Sequence, residues 1–373
     1  MSTKATALVQ YGPKQMEIEE LDFPKLIEGS ALIRVEANGM CGTDVDSYYG
    51  DEIPEQKFPR IIGHEIVGVI EELGPGRNPR PGLKVGDRVA VNPFIGCGRC
   101  TDCLRGDTMM CRGFGFWPYM HGQLPLAEAP GLWGGYSTHV YAHPNSVLYP
   151  FPEHVSGLTA TLWNPLAAGF QWGVINGGVG FGTKLLILGP GQRGLASIFA
   201  ARAVGAELIV STGVIKDELK LKRAQDFGAD AVINVETENL VERANELTNG
   251  EGFDVIVDTT PGATQPIRDA IEVLRPSGGT IVLAGVKNRP VDGVDVDKLI
   301  IKRARIVGSM GQSHDSYLQA ARLLATGRFP AIDEMRTHVV PFDNFEHAVK
   351  LMVGEVEGEN AINVVVTPPA GLV

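Results

Sequence analysis

The chain has 373 residues, which at roughly 150 residues per domain implies two domains or three, each burying its own core. Hydrophobic residues make up 44% and charged residues 21%, a balance that excludes disordered and collagen-like chains. Thirty-three basic against 44 acidic residues leave a net charge of −11, which disfavours nucleic acid and anionic lipid as partners and suits a small-molecule ligand.

At the start of the chain, Met1 to Tyr11 lacks the basic-then-apolar layout of a signal peptide, and no apolar run reaches the roughly 18 residues of a membrane span. A cytoplasmic location and no membrane partner are expected. The first 160 residues carry short Val/Ile runs, such as Ala31 to Val35, Ile66 to Glu71 and Arg88 to Val91, punctuated by Gly and Pro; this predicts an all-β region. Beyond Asn164 the texture changes. Strand candidates at Leu185 to Leu188, Leu208 to Ser211, Asp254 to Asp258 and Thr280 to Ala284 alternate with helix candidates at Leu195 to Val204, Asp217 to Phe227 and Gln265 to Leu274. Such alternation predicts βαβ units and a doubly wound parallel sheet. The Gly-rich run Gly177 to Gly182 leads into it. After Ile306 to Gly308, helices near Ser316 to Thr326 and Asn344 to Val353 flank a strand at Thr337 to Val340, and Ala361 to Val366 is the terminal strand. That strand lies far from any crossover helix, so the tail is read as returning to the first domain. The expected division is residues 1–172, 173–311 and 312–373.

Five cysteines are an odd number, and four of them (Cys97, Cys100, Cys103, Cys111) fall in a lobe spanning residues 92–113. Their C-x2-C-x2-C-x7-C spacing lets four thiolates converge on one tetrahedral ion, which argues for metal in a reducing compartment over disulfides. No second Cys-rich run and no Pro after the last cysteine accompany it, so zinc is favoured over an iron–sulfur cluster. A closed sulfur shell predicts a structural ion. Cys41 and His64 are each ambiguous alone, readable as metal ligands or as ordinary core residues.

Taken together, Cys41-Gly-Thr-Asp44, Gly63-His64-Glu65-x-x-Gly68, Val85-Gly86-Asp87-Arg88-Val89, the four-cysteine lobe and a later glycine motif resemble the zinc-dependent medium-chain alcohol dehydrogenases, in the same order along nearly the whole chain. The resemblance implies an α/β plus β fold, with a GroES-like β-barrel catalytic domain holding a second, catalytic zinc and an inserted Rossmann domain. It implies two zinc ions per chain, with Cys41 and His64 as catalytic ligands and Glu65 as an acidic neighbour able to approach or bind the ion. The family's third ligand position falls on Asn164 of Asn164-Pro-Leu-Ala-Ala-Gly169, a departure from Cys or Glu. With an amide ligating in that place the centre carries about +1, polarises a carbonyl more and holds its metal less tightly, unless Glu65 coordinates too; the alternative is that Asn164 only caps or hydrogen-bonds and water fills the place. Thr43 matches the hydroxyl that relays the alcohol proton. The next relay position, often His, is Asp46, readable as relay, ribose contact or solvated loop residue. Asp44 is expected to accept from His64 and fix its tautomer.

Gly189-Pro-Gly191-Gln192-Arg193-Gly194 follows an apolar strand and precedes a helix, the context that a dinucleotide turn needs. Gly189 permits the turn, Gly191 the approach of N–H groups to a pyrophosphate, and Gly194 close packing of helix on strand. Where an Asp or Glu for the ribose is expected about 20 residues on, the chain reads Val210-Ser-Thr212-Gly213, followed by Lys216 and Lys220. With no carboxylate there, NADP is expected to be tolerated beside NAD. Phe114, Phe116, Trp117, Tyr119, Met120, Trp133 and Tyr136 are read as lining a substrate cleft, packing a loop or forming a dimer contact, and Trp117 and Trp163 are the pocket candidates.

These features imply an NAD(P)-dependent alcohol dehydrogenase or ketone reductase acting on a secondary, bulky apolar or cyclic alcohol, and the resemblance implies a homodimer or homotetramer. A polyol or sugar dehydrogenase of the same superfamily, and a nucleotide-binding protein that has lost its catalytic zinc, are the alternatives.

Overall fold

The computed structural model describes residues 3–51, 57–76, 82–114 and 119–372. The chain first forms strands β1 (Lys4–Gly12), β2 (Gln15–Asp22), β3 (Ala31–Gly39), β4 (Arg60–Ile61), β5 (Glu65–Leu73), β6 (Arg88–Val91), β7 (His139–Ala142) and β8 (Leu148–Phe151). Six more follow: β9 (Lys184–Leu188), β10 (Leu208–Gly213), β11 (Ala231–Asn234), β12 (Val255–Asp258), β13 (Thr280–Leu283) and β14 (Arg305–Gly308). The last two are β15 (Arg336–Pro341) and β16 (Asn363–Thr367).

Two compact units result. One comprises Met1–Asn164, Ser313–Arg328 and Arg336–Val373; the other comprises Pro165–Gln312 and Phe329–Met335. The first change of unit therefore falls at Asn164, eight residues before the boundary expected at 172/173. The reason is local: the backbone at Gly169 lies so close to Ala196 and Ser197 that an added Cβ would come within 2.9 Å of each. The segment from Phe329 likewise goes with the second unit, its ring 6.1 Å from that of Phe199.

In the first unit, β15-β16-β3-β5-β6-β8 form one sheet with β7 also on β3, and β2-β1-β4 form a smaller one. The terminal strand β16 pairs antiparallel with β3 (Val365↔Gly39, Val366↔Asn38), so the tail closes the sheet that the N-terminal half opened. Apolar residues of β1, Met40, Trp133, Tyr136, Phe342, Phe345 and β16 share one buried core, while Ile33, Ile66, Val89 and Val140 share a second. Each fully buried aliphatic side chain there contributes about 1.5–3 kcal/mol.

The second unit is a six-stranded parallel sheet in the order β11-β10-β9-β12-β13-β14. This is the doubly wound arrangement, whose order reverses between β9 and β12 and whose ligands bind at the carboxyl ends of those strands. β9 and β12 are apolar because both of their faces are covered. The helix Gln192–Ala203 starts three residues earlier than its apolar spacing suggested, because Gly191 caps it in an extended conformation.

Candidate metal centres and dinucleotide turn

The β3·β5 register assembles the first cluster. Gly39 pairs with Glu65, so Cys41, two residues beyond, and His64, one residue before, emerge at the same end of the pair. Position 39 is close-packed: a Cβ there would lie 2.4 Å from the Glu65 carboxylate oxygen, so any larger residue would displace that side chain. The donor atoms of Cys41, His64 and Glu65 lie within 4.8 Å of one another, and all three residues are buried.

The helix Gly42–Tyr49, in a region expected to be all-β, starts at this cluster. One oxygen of Asp44 accepts the Cys41 N–H at 2.9 Å, and the other lies 3.5 Å from His64 Nδ1. Burial lowers the proton affinity of His64, but the carboxylate of Asp44 and the sulfur of Cys41 outweigh it, and its pKa stands well above the usual imidazole value. Thr43 Oγ1 lies 3.7 Å from Cys41 Sγ. Asp46 is exposed, three residues along the same helix. Sequence reasoning missed the proximity of Tyr136 to this cluster. Its fully buried phenol is raised well above its ordinary pKa by burial and by Asp44, Glu65 and Cys41.

Asn164, second in the helix Trp163–Gly169, is 2% exposed, and its Oδ1 accepts no hydrogen bond. A buried carbonyl oxygen left so costs about 1–3 kcal/mol unless something outside the protein binds it. Trp163 does not line an open pocket. It is fully buried, its ring 4.4 Å from Tyr317 and 5.4 Å from Tyr149. Trp133 and Tyr136 belong to the core, and Phe114 stacks on Tyr119 at 4.8 Å against it, so these aromatics pack the molecule. Phe116 and Trp117 lie outside the described residues.

In the second cluster the sulfurs of Cys97, Cys100, Cys103 and Cys111 also lie within 4.8 Å of one another. Backbone N–H groups hold them: Cys97 donates to Cys111 Sγ at 3.2 Å and Cys100 to Cys97 Sγ at 3.3 Å. Backbone N–H groups of Cys103 and Arg112 lower the Cys100 thiol to about 6, whereas burial pushes Cys103 up to about 12.

The glycine turn sits at the ends of β9 and β12. Gly189 has φ +100°, and a Cβ there would press on Thr259 and Thr260; a Cβ at Gly194 would lie 2.0 Å from the Gly189 carbonyl oxygen. At Gly191 a Cβ would meet nothing within 4 Å, leaving its backbone open to a ligand. The Thr259 hydroxyl donates to the carbonyls of Leu188 and Gly189, and an ion pair unnoticed in the sequence, buried Asp258 with part-buried Lys287 at 2.7 Å, pins Thr260 beside them. Gln192 opens the helix, and the Arg193 guanidinium stands 5.7 Å from the Trp172 ring centre. Thr212 and Gly213 are buried at the end of β10, and Lys216 is exposed beyond them. The strand itself ends without a carboxylate, as its sequence reads, but Glu236, two residues beyond β11, accepts the Ile215 N–H with Oε2 at 2.6 Å.

Residues 27–153 match the family Alcohol dehydrogenase GroES-like domain, and residues 194–326 match the family Zinc-binding dehydrogenase. A chain of Mycobacterium tuberculosis named as a probable alcohol dehydrogenase is 36% identical over 97% of this chain and 98% of its own length. An L-threonine 3-dehydrogenase of Pyrococcus furiosus is 31% identical, covering 94% of this chain and 96% of its own. A solved alcohol dehydrogenase structure from Thermotoga maritima superposes with a TM-score of 0.87 at 25% identity, covering 99% of this chain and all of its own.

Proposed function

The chain belongs to the zinc-type medium-chain alcohol dehydrogenases, and on that premise we propose that it moves a hydride between NAD(P) and a secondary alcohol or its ketone, with two zinc ions per chain. The observation that carries this reading is the convergence of Cys41, His64 and Glu65 in one buried cluster, with the unbonded Asn164 oxygen as the further donor in our reading. One thiolate, one imidazole and oxygen donors suit zinc held with a position left for substrate, while the four-cysteine lobe suits zinc held closed. When bound, zinc supplies Lewis acidity that acidifies a substrate hydroxyl, and the nicotinamide takes up the hydride.

The chain's own groups have separate tasks. Asp44 holds His64 at Nδ1, which leaves Nε2 as the ligand nitrogen. The Thr43 hydroxyl accepts the proton that the substrate loses. Asp46, at the i+3 position on the same helix and facing water, carries it away. Glu65 balances the charge of a centre with a single thiolate. The backbone from Gly189 to Gly194, with Gln192 and Arg193 opening the helix, binds the pyrophosphate, and Thr212 and Gly213 face the adenosine ribose.

The aromatic residues that suggested a bulky apolar or cyclic substrate are largely spent on packing. The similarity to relatives named L-threonine 3-dehydrogenase, D-arabitol-phosphate dehydrogenase and sorbitol dehydrogenase favours a second reading, a polar secondary alcohol such as a polyol. All five cysteines are free, as a reducing cytoplasm would keep them, and among the described residues no helix is long and apolar enough to cross a membrane. β14 ends the parallel sheet with Ile306 44% exposed, so a second copy pairing along this edge is the homo-oligomer contact we propose, in a dimer or within a tetramer.

Metal analysis of the purified enzyme with steady-state oxidation of a cyclic alcohol and a polyol tests the reading. About two zinc per chain and nicotinamide reduction support it. One zinc per chain with no turnover on either alcohol would falsify it and leave a nucleotide-binding protein without a catalytic ion.

A further inference from the structure

In a dinucleotide fold, the strand after the glycine-turn helix ends in an acid that grips the ribose 2′-hydroxyl, and that acid disfavours the 2′-phosphate of NADP. Here the strand is β10, and its last residue is Gly213. The place is also full. A Cβ at Gly213 would lie 3.0 Å from Pro190 Cγ and 3.1 Å from both Asp217 Cβ and Leu221 Cδ2, so an acidic side chain there needs its neighbours to move.

The carboxylate comes from the next strand instead. β10 and β11 run parallel with Gly213 opposite Asn234. The Val235 N–H donates to the Gly213 carbonyl at 3.0 Å, and the Glu236 N–H donates to Asn234 Oδ1 at 3.1 Å. These two bonds turn the chain back toward the end of β10, and the Glu236 side chain takes the Ile215 N–H at 2.6 Å. That bond uses one of about four acceptor sites of a carboxylate, leaving others for a ribose hydroxyl.

We infer that Glu236 is the specificity-determining residue for the cofactor: it stands in for the missing acid of β10 and selects NAD over NADP. The inference rests on the dinucleotide reading above. Lys216 and Lys220 follow the same strand, but Asp217, whose carboxylate accepts the Val214 N–H at 3.3 Å, and Glu236 offset them in number. A hydroxyl donates to the Glu236 carboxylate, whereas a phosphate offers only negative charge to it.

The test is calorimetric titration of the purified holoenzyme with NAD+, NADP+, ADP-ribose and 2′-phospho-ADP-ribose, the last two reporting the ribose end without the nicotinamide. Wild type binds the unphosphorylated member of each pair at least about tenfold more tightly, and Glu236→Gln narrows that ratio by about tenfold. Glu236 is exposed, so this substitution leaves the core intact. Lys216→Ala leaves the ratio in favour of NAD. A wild-type preference for NADP, or a ratio unchanged in Glu236→Gln, overturns the inference while the dinucleotide reading stands. Failure of wild type to bind either member of both pairs overturns that reading itself, and the inference with it.

Discussion

The two clusters of potential metal donors draw on the same chemistry and are built in opposite ways. The four cysteines lie within one stretch from Cys97 to Cys111 and are held by N–H groups of that same stretch. Cys41, His64 and Glu65 are joined by the register of two strands, and the Asn164 oxygen is buried from a helix a hundred residues further on. The first arrangement is set by the turns of its own loop. The second is set by the sheet, so its side chains are brought together through packing. On the zinc reading proposed above, the locally encoded cluster should therefore govern stability and the tertiary one chemistry.

The widest separation should come from removing one ligand of each. His64→Ala is expected to lower kcat/KM by about a thousandfold or more, since metal polarisation supplies several kcal/mol to the transition state. Its melting temperature should move less. Cys100→Ser should lose one equivalent of zinc and several kcal/mol of stability, a fall in Tm on the order of 10 °C. Zinc content, Tm and kcat/KM measured on both proteins decide the matter. Equal losses of Tm in the two variants would erase the distinction.

A smaller effect probes how the tertiary site is held. Asp44 accepts the Cys41 N–H and faces His64 Nδ1, so it supports two ligands at once. Asp44→Asn should keep the helix Gly42–Tyr49 capped while weakening both supports, lowering metal affinity or kcat/KM about 10- to 100-fold. Zinc loss to a chelator, followed over time, gives a readout independent of turnover. If Asp44→Asn releases zinc no faster than wild type, Asp44 is only a helix cap.

The same contrast governs what could be read from the sequence. The four-cysteine spacing and the glycine turn are legible because their geometry is set over fewer than twenty residues, by local turns. The parallel sheet is legible because strands buried on both faces must be apolar. The helix Gly42–Tyr49 was hidden in a β-rich context: its cap is Cys41, and its mean apolar content is too low to stand out. Glu236 was invisible for a different reason. Its place beside Ile215 depends on Gly213 standing opposite Asn234, a pairing that exists only once β10 and β11 lie side by side. Trp163 was misread because adjacency in sequence to a proposed ligand does not say which way a ring points, and here it points into Tyr149 and Tyr317.

The smallest expected effect separates a buried histidine that serves the fold from one that serves the site. His121 is fully buried, with Nδ1 3.1 Å from the Trp133 carbonyl and Nε2 3.1 Å from Ser146 Oγ, and burial lowers its pKa to about 4. Unlike His64 it has no carboxylate beside it among the described residues. In the unfolded chain its pKa returns to about 6.5. Above that value both states are neutral and His121 adds no pH dependence. As pH falls from about 6.5 toward 4 the unfolded chain takes up a proton that the folded chain refuses. Stability then drops by up to about 1.4 kcal/mol per pH unit, on the order of 3 kcal/mol in all. Denaturant unfolding of wild type and His121→Asn at several pH values measures the difference in slope, which is one proton if the account is right. Parallel slopes would mean that His121 is protonated in the fold, and that its two hydrogen bonds hold an imidazolium.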